Sequence, residues 1–257
     1  MSIDMSTIKH DMIAMHEPFT DYIVDKGDLP NLPFRWLIVG PSQFSGKTTV
    51  IANMLLRPYD NTDSAGKDYY KDNFKGENLY IITPSADIDH KWKKLIEYKK
   101  IPPENVFSSY EEDDLKGIQE RVEEKFKEAV AEGEKPEHSL VILDDCSFDG
   151  SLKKKVCGAI SKLFCNSRHI LLSSILTSQK YSDIPTTCRV NSTAMILFEL
   201  TEPEIEQLRK DVGLTSLKEF TSMIETLTDQ PHSFMVVNRK FKRADRFQDQ
   251  YFRPYRK

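Results

Sequence analysis

Short apolar segments alternate with helical patterns along most of this 257-residue chain. The apolar segments are hydrophobic at almost every position, which is typical of parallel strands that are buried on both faces of a sheet. Strands are predicted at residues 34–39, 79–83, 106–108, 139–143, 170–177, 193–200 and 233–237. Helices are predicted at residues 46–57, 89–99, 111–137, 152–164, 202–211 and 216–227. This alternation predicts an α/β fold with a mostly parallel central sheet that helices cover on both faces.

The composition fits one large globular domain with a segment at each end. Hydrophobic residues make up 39% of the chain and charged residues 30%, whereas a disordered chain has fewer aliphatic residues and a larger net charge. The domain is predicted over residues 32–238, between an N-terminal arm at 1–31 and a C-terminal tail at 239–257. No apolar run approaches the roughly 18 residues of a membrane span, so none is expected. The first residues lack a basic segment followed by an apolar core, so we expect no signal peptide.

A phosphate-binding loop is predicted between the first strand and the first helix. The sequence GPSQFSGKTT connects them, and backbone N–H groups in such a loop and at the helix start favour an anion. Gly46 would let the backbone approach the phosphates, Lys47 would reach the β- and γ-phosphates, and the Thr48 hydroxyl would bind Mg²⁺. The candidate nucleotide-binding residues are Gly40, Pro41, Ser42, Gln43, Phe44, Ser45, Gly46, Lys47, Thr48 and Thr49.

The loop departs from the usual pattern of phosphate-binding loops at two points. The pattern places its first glycine where this chain has Pro41, and the chain has Gly40 one residue earlier. The middle of the loop contains Gln43 and Phe44 in place of a glycine. We therefore expect a loop of different shape, with Phe44 in contact with a base or a partner. The alternative is a chance GKTT sequence in a turn that binds no nucleotide.

Two adjacent acids follow the strand predicted at 139–143. Asp144 is expected to hold Mg²⁺, directly or through water, and Asp145 to polarise an attacking water. Two acids at a strand end are a weak signal alone, but Asp144 follows Lys47 by 97 residues, with the strand predicted at 79–83 between them. An additional strand between the two motif strands is typical of additional-strand ATPases, and a second acid favours hydrolysis. The chain contains no Asn-Lys-x-Asp segment, which favours ATP over GTP.

A polar Thr-Ser-Gln sequence follows the apolar strand predicted at 170–177. The amide of Gln179 both donates and accepts hydrogen bonds, so it can lie between the γ-phosphate and the lytic water. The alternative is a cap at the end of the strand. Around it, residues 168–191 contain an Arg-His pair before the strand, a Gln-x-Tyr sequence at its end, and then Ile-Pro and Arg-x-Asn.

With all three motifs in this order, residues 34–200 resemble the genome-packaging ATPases of poxviruses, giant viruses and virophages, members of the HerA–FtsK class of DNA-pumping motors. The resemblance implies a P-loop NTPase of the additional-strand ATPase type that hydrolyses ATP with Mg²⁺. It implies a homo-oligomeric ring, a pentamer or hexamer, that drives double-stranded DNA into a preformed capsid, with a capsid or portal protein as partner. The expected location is the virion, or the host-cell cytoplasm at the site of virus assembly.

The resemblance also assigns roles to individual residues. Lys47 and Thr48 would bind phosphate and Mg²⁺, Asp144 would bind Mg²⁺, Asp145 would activate water, and Gln179 would sense the γ-phosphate. In ring motors an arginine of a neighbouring subunit often completes the site, an effect on the order of 10³–10⁵ in rate. Arg168 and Arg189 are the candidates, and Arg189 is favoured because it is expected in a loop beyond the sheet. Each could instead be a structural residue in an ion pair.

Charge is distributed unevenly along the chain. Residues 239–257 contain eight basic and two acidic residues, a net charge of +6, while the whole chain carries −4. Five aromatic residues lie between these basic residues, which suits either nucleic-acid contact or packing of the rings on a neighbouring subunit. The acidic helix predicted at 111–137 is either a solvated face with one packing stripe or a docking surface for a capsid protein.

Three functions remain open from the residues. The main hypothesis is a viral DNA-packaging motor. A cellular or plasmid DNA translocase or helicase would use the same chemistry but would unwind a forked duplex. An ATP-binding assembly scaffold with little turnover is the third, because the phosphate-binding loop is irregular. A small-molecule kinase is disfavoured, since no arginine-rich lid segment follows the catalytic strands.

Overall fold

A single mixed sheet forms the centre of the computed structural model, which describes residues 17–42, 45–56, 69–146, 158–214, 216–243 and 245–256. Within these residues, eight strands pair in the order β3-β2-β4-β5-β1-β6-β7-β8. The strands are β1 Arg35–Val39, β2 Leu79–Ile82, β3 Val106–Phe107, β4 Ser139–Leu143, β5 Leu172–Ser178, β6 Ala194–Leu197, β7 Met235–Asn238 and β8 Phe247–Gln248.

The six strands from β3 to β6 are parallel, and β7 and β8 continue the sheet in antiparallel pairing. Every residue of β4 and of β5 is buried, and this includes the serines and the threonine of β5 as well as the apolar residues from which the strands were predicted. The predicted α/β fold with a mostly parallel sheet is therefore confirmed.

In the sheet, β5 lies between β1 and β4, the two strands that precede the first two motifs. It pairs with β1 on one side and with β4 on the other. The strand that lies between the motifs along the chain, predicted at 79–83, is instead β2 and pairs on the far side of β4. Order along the chain does not determine order in the sheet, because each parallel connection crosses over the sheet and can return at either side.

Seven α-helices of the described residues cover the two faces of the sheet. They are α1 Lys47–Leu56, α2 His90–Lys99, α3 Glu112–Glu132, α4 Ala159–Asn166, α5 Thr186–Asn191, α6 Glu202–Asp211 and α7 Leu217–Leu227. Helices α1 and α2 pack on the face that contains Trp36 and Ile38. Helices α3, α4, α6 and α7 pack on the opposite face, with Leu37 and Val39. Within the described residues, no helix combines the length and the apolar composition that crossing a membrane requires.

Local backbone conformations explain where the element bounds differ from the predicted ones. Helix α3 ends at Glu132, short of the predicted 137, because Gly133 adopts a left-handed conformation with φ of 74°. The strand predicted from 170 begins at Leu172, after a 3₁₀ turn at Ser167–Ile170. Helix α5 was not predicted, since six residues are too few to show a helical period. Of the helix predicted at 152–164, residues 152–157 lie outside the described residues.

Core contacts attach both end segments to the sheet. In the segment predicted as an arm, Leu29 is fully buried, and Val24 forms a bridge with Leu32, the fully buried first residue of the predicted domain. In the segment predicted as a tail, β8 pairs with β7, and the rings of Phe247 and Phe252 are buried in the two opposite core clusters. These aromatic residues of the basic segment therefore pack within the same chain.

The burial of Phe252 predicts that the basic segment stabilises the domain. Its ring is 2% exposed and lies 6.3 Å from the ring of Trp36, whereas the neighbouring Tyr251 is 49% exposed. We expect Phe252→Ala to lower the free energy of unfolding by about 3–5 kcal/mol, because a buried ring is lost, and Tyr251→Ala to change it by less than about 1 kcal/mol. Urea denaturation of both variants measures the difference, and equal effects would contradict the packing.

Candidate functional site

The predicted motifs meet where the parallel strands end. Because β1, β2, β4 and β5 are parallel, their carboxyl ends lie at one edge of the sheet, here called the carboxyl-end edge. Strand β1 runs into Gly40, β4 into Asp144 and Asp145, and β5 into Gln179. Ligands of open parallel sheets bind at this edge. A groove of about 1150 Å³ opens beside these residues, and Pro41, Ser42 and Gln179 are among the residues that line it.

Lys47 is buried at the start of α1 with its ammonium inside the loop. Its Nζ donates to the carbonyl oxygens of Gly40 and Pro41, each at 2.9 Å. The Ser45 hydroxyl donates to the same Pro41 carbonyl at 2.7 Å and tightens the turn. Burial lowers the pKa of Lys47, and the negative charges of Asp145 and Asp144 partly oppose that shift. The ammonium is therefore held near both acids of the second motif.

Two glycines of the loop are required for different reasons. Gly46 has φ of 90°, a conformation that favours glycine. A Cβ at Gly40 would lie 2.8 Å from the Cβ of Phe198 and 3.0 Å from that of Ser45, so close packing between β1 and the end of β6 requires a glycine at this position. The early glycine of the motif is thus explained by packing. Gln43 and Phe44 lie outside the described residues.

Asp144 lies in a buried cage of hydrogen-bond donors. Its carboxylate accepts hydrogen bonds from the Thr177 hydroxyl at 2.8 Å, from the indole Nε1 of Trp92 at 3.1 Å and from the Thr83 hydroxyl at 3.4 Å. Burial raises the pKa of Asp144, and the bonds from Thr177 and Trp92 oppose that rise. Sequence reasoning missed Trp92 and Thr83. Thr83 and Thr177 could have been found as polar residues at the ends of apolar strands, whereas a tryptophan within a helix gives no such signal.

Asp145 and Gln179 are joined directly. The side-chain Nε2 of Gln179 donates to Oδ1 of Asp145 at 2.9 Å, and the backbone N–H of Asp145 donates to the Thr177 hydroxyl at 2.9 Å. Asp145 has φ of 44°, a left-handed conformation that costs a non-glycine residue on the order of 1 kcal/mol. The strained backbone turns this partly exposed carboxylate towards the glutamine. Strands β4 and β5 thus bring the second and third motifs together.

The oxygen atoms that could act as metal ligands at this edge suit Mg²⁺. In the described ranges, no cluster of three or more His, Cys, Asp or Glu side chains is placed to hold a metal ion by itself. Mg²⁺ ordinarily takes one or two carboxylates and completes its shell with phosphate oxygens and water. The carboxylate of Asp144 and the hydroxyl of Thr48, the second residue of the half-buried start of α1, are ligands of this kind. Thr49, which follows, is exposed.

Arg189 lies in a different environment from the predicted loop. It belongs to helix α5 and is 8% exposed. Its Nε forms an ion pair of 2.9 Å with Asp211, and its guanidinium donates to the Ile184 carbonyl and lies 5.3 Å from the ring centroid of Tyr181. The prediction that Arg189 lies in a loop is therefore wrong. Pro185 is the N-cap residue of a short helix, and the buried carboxylate of Asp211 attracts the guanidinium of Arg189. These contacts hold Arg189 beside the groove that Pro41 and Gln179 also line.

Arg168 lies at the opposite edge of the sheet from the other candidates. It is exposed in the 3₁₀ turn before β5, and its guanidinium lies 6.0 Å from the ring centroid of Phe19. Gln179 follows the far end of the same strand. Seven strand residues separate the two by roughly 23 Å along the strand. Arg168 therefore does not contribute to the site of its own subunit.

Comparison with protein families gives a match to the model described as "Poxvirus A32 protein" over residues 23–240. Comparison with curated protein sequences gives no match.

Solved structures of packaging ATPases from two Sulfolobus viruses share the fold. The genome packaging NTPase B204 from Sulfolobus turreted icosahedral virus 2 in complex with AMPPCP has a TM-score of 0.54 and 16% identity, covering 80% of this chain and 92% of that one. Its complex with ATP-gammaS has a TM-score of 0.54 and 15% identity, and the match covers 84% of this chain and 95% of that one. The DNA-packaging ATPase B204 from Sulfolobus turreted icosahedral virus has a TM-score of 0.50 and 15% identity, covering 81% and 94%.

The raised pKa of Asp144 predicts that its charge destabilises the metal-free fold. We expect Asp144→Asn, measured in a chelator near neutral pH, to leave the free energy of unfolding unchanged or higher, because the amide removes a buried charge. The difference should shrink as the pH falls through the pKa of the folded carboxyl, since the wild-type residue then becomes neutral. Denaturation midpoints over a pH series test this. A variant that is less stable at all pH values would contradict it.

The ion pair of Arg189 and Asp211 predicts strong coupling between the two residues. Arg189→Gln should lower the free energy of unfolding by about 3–5 kcal/mol, because it leaves a buried carboxylate without its cation. Asp211→Asn in the same chain should restore part of that loss. Urea denaturation of the two single variants and the double variant completes the cycle. Additive effects would show that the two charges do not interact.

Proposed function

Since the chain belongs to the Poxvirus A32 protein family, we propose that it is the ATPase of a viral genome-packaging motor. The observation that carries the proposal is the meeting of a loop lysine, two adjacent acids and a glutamine at one edge of a parallel sheet. The solved packaging ATPase B204, bound to ATP analogues, supports the assignment through its shared fold.

The residues of the site divide the work of hydrolysis. The loop from Gly40 to Thr49 binds the phosphates of ATP, and the Lys47 ammonium exchanges its two carbonyl partners for the more negative phosphate oxygens. Asp144 and the Thr48 hydroxyl hold Mg²⁺, which neutralises phosphate charge when it is bound. The cage around Asp144 fixes the direction of its carboxylate before the ion arrives.

Asp145 and Gln179 act on the water. The Asp145 carboxylate keeps one oxygen on the Gln179 amide, so its other oxygen can orient a water and accept its proton. Gln179 follows β5 directly, and its bond to Asp145 links the state of the γ-phosphate to that strand. A change in the phosphate group thereby reaches the sheet through one hydrogen bond.

Hydrolysis drives double-stranded DNA into a capsid. The chains act as a homo-oligomeric ring, a pentamer or hexamer, against a capsid or portal protein, in the virion or in host cytoplasm where virus particles assemble. Family membership and the DNA-packaging relative support this part of the proposal. The groove beside Pro41 and Gln179 gives a neighbouring subunit access to the nucleotide.

The buried Lys47 predicts loss of turnover in Lys47→Ala. We expect phosphate release from Mg-ATP to fall by at least about 100-fold, because the Lys47 ammonium is the cation held inside the loop, against the carbonyl oxygens of Gly40 and Pro41. Lys93→Ala, which removes an exposed lysine of α2, should keep wild-type turnover. A malachite-green phosphate assay measures both variants. Undiminished turnover in Lys47→Ala would refute the site.

Two further measurements separate the motor from its alternatives. The wild-type ATPase rate should rise when blunt double-stranded DNA is added, and the protein should not unwind a forked duplex. Unwinding would indicate a helicase. Stoichiometric ATP binding without phosphate release would indicate an assembly scaffold. Native mass measurement in the same buffer determines whether the active species is a pentamer or hexamer.

A further inference from the structure

A basic pocket lies at the edge of the sheet opposite the nucleotide site. Its volume is about 440 Å³, and it lies where β1 begins and β7 ends. Arg35 is the first residue of β1, and Gly40 of the phosphate-binding loop follows its last, so the pocket and the loop are roughly 16 Å apart along one strand. The basic residues that line the pocket are Arg35, Arg168, Arg239 and Lys240.

Two of these cations, Arg35 and Arg168, have no acidic partner among the residues that the structure describes. Arg35 donates from NH1 to the Phe164 carbonyl at 3.1 Å, and its pKa is lowered by burial and by the neighbouring positive charge of Arg168. Arg168 is exposed and lies over the ring of Phe19. Within the described parts of the chain, no carboxylate forms an ion pair with either guanidinium. Like charges held together without a counter-ion favour an anionic ligand.

The other two cations shape the pocket. Arg239 donates to the carbonyl oxygens of Val190 and Ser192, which fixes its guanidinium at the wall. Lys240 pairs with Asp25, the acid that offsets one of the four positive charges. Ile23 and Val190, which also line the pocket, are 44% and 58% exposed. The pocket therefore combines an excess of positive charge with an uncovered apolar rim.

We propose that this basic pocket binds phosphate groups of the duplex DNA backbone. In the turn that follows Lys240, Arg243 and Arg246 donate to the carbonyl oxygens of Gly213 and Val212, and the positive charge of Arg246 acts on Arg239 of the pocket. Several cations close together suit a ligand with repeated phosphates, and an exposed guanidinium such as that of Arg168 can bind a phosphate with two parallel hydrogen bonds. The exposed apolar rim matches the deoxyribose groups between phosphates. The inference rests on the proposed function in taking DNA as the cargo.

Substitution of Arg168 tests the pocket, with Arg121 as the matched control. Arg121 is likewise an exposed arginine over an aromatic ring, 5.5 Å from the centroid of Tyr80, but it lies on α3 away from the pocket. We expect Arg168→Gln to weaken binding of a blunt labelled duplex roughly 3- to 10-fold and to reduce the slope of log K against log salt by about 1. Arg168→Lys should keep the salt slope, and Arg121→Gln should bind as the wild type does.

Three outcomes would overturn the inference. The first is unchanged affinity and slope in Arg168→Gln. The second is weaker DNA binding that accompanies loss of the oligomer in a mass measurement, which would make the pocket a subunit contact. The third is loss of ATP hydrolysis at unchanged DNA affinity, which would assign Arg168 to a neighbour's nucleotide. A wild-type protein that binds DNA through Arg168 but hydrolyses no ATP would contradict the proposed function and leave the pocket intact.

Discussion

The Thr177 hydroxyl holds the two adjacent acids Asp144 and Asp145 in place. It donates to the Asp144 carboxylate at 2.8 Å and accepts from the backbone N–H of Asp145 at 2.9 Å. One side chain of β5 thus fixes both residues that end β4, and it does so because the two strands are paired in parallel register. The geometry of the proposed water-activating and metal-binding acids depends on this contact between neighbouring strands.

Several features of the site lower the stability of the folded chain. The Asp144 carboxylate is buried, which raises its pKa, and Asp145 occupies a left-handed conformation. The burial of Lys47 is likewise unfavourable to its charge. These unfavourable terms are offset by the cores on both faces of the sheet. A charged nucleotide and its metal ion would relieve them, because each buried charge then gains a partner of opposite sign.

The sequence was sufficient to predict what local patterns determine. The unbroken apolar runs predicted the buried strands, and the motifs that follow them predicted Lys47, Asp144, Asp145 and Gln179, since parallel strands end at one edge. Contacts between segments that are distant along the chain could not be predicted from the sequence. The indole of Trp92 meets Asp144 only through the packing of α2 on the sheet, and Arg189 meets Asp211 across two helices. Neither pair has a spacing that a single sequence reveals.

Strand β1 connects the proposed nucleotide site at one end of the sheet with the proposed DNA-binding pocket at the other. At its start, Arg35 faces a pocket with an excess of positive charge, and at its end the chain enters the loop that holds Lys47. The neighbouring strand β5 repeats the arrangement, with Arg168 before it and Gln179 after it. A buried strand transmits displacement along its length because its close-packed neighbours leave it no room to deform. If ATP is hydrolysed at the carboxyl-end edge as proposed, β1 and β5 are the two strands that join that edge directly to the basic pocket.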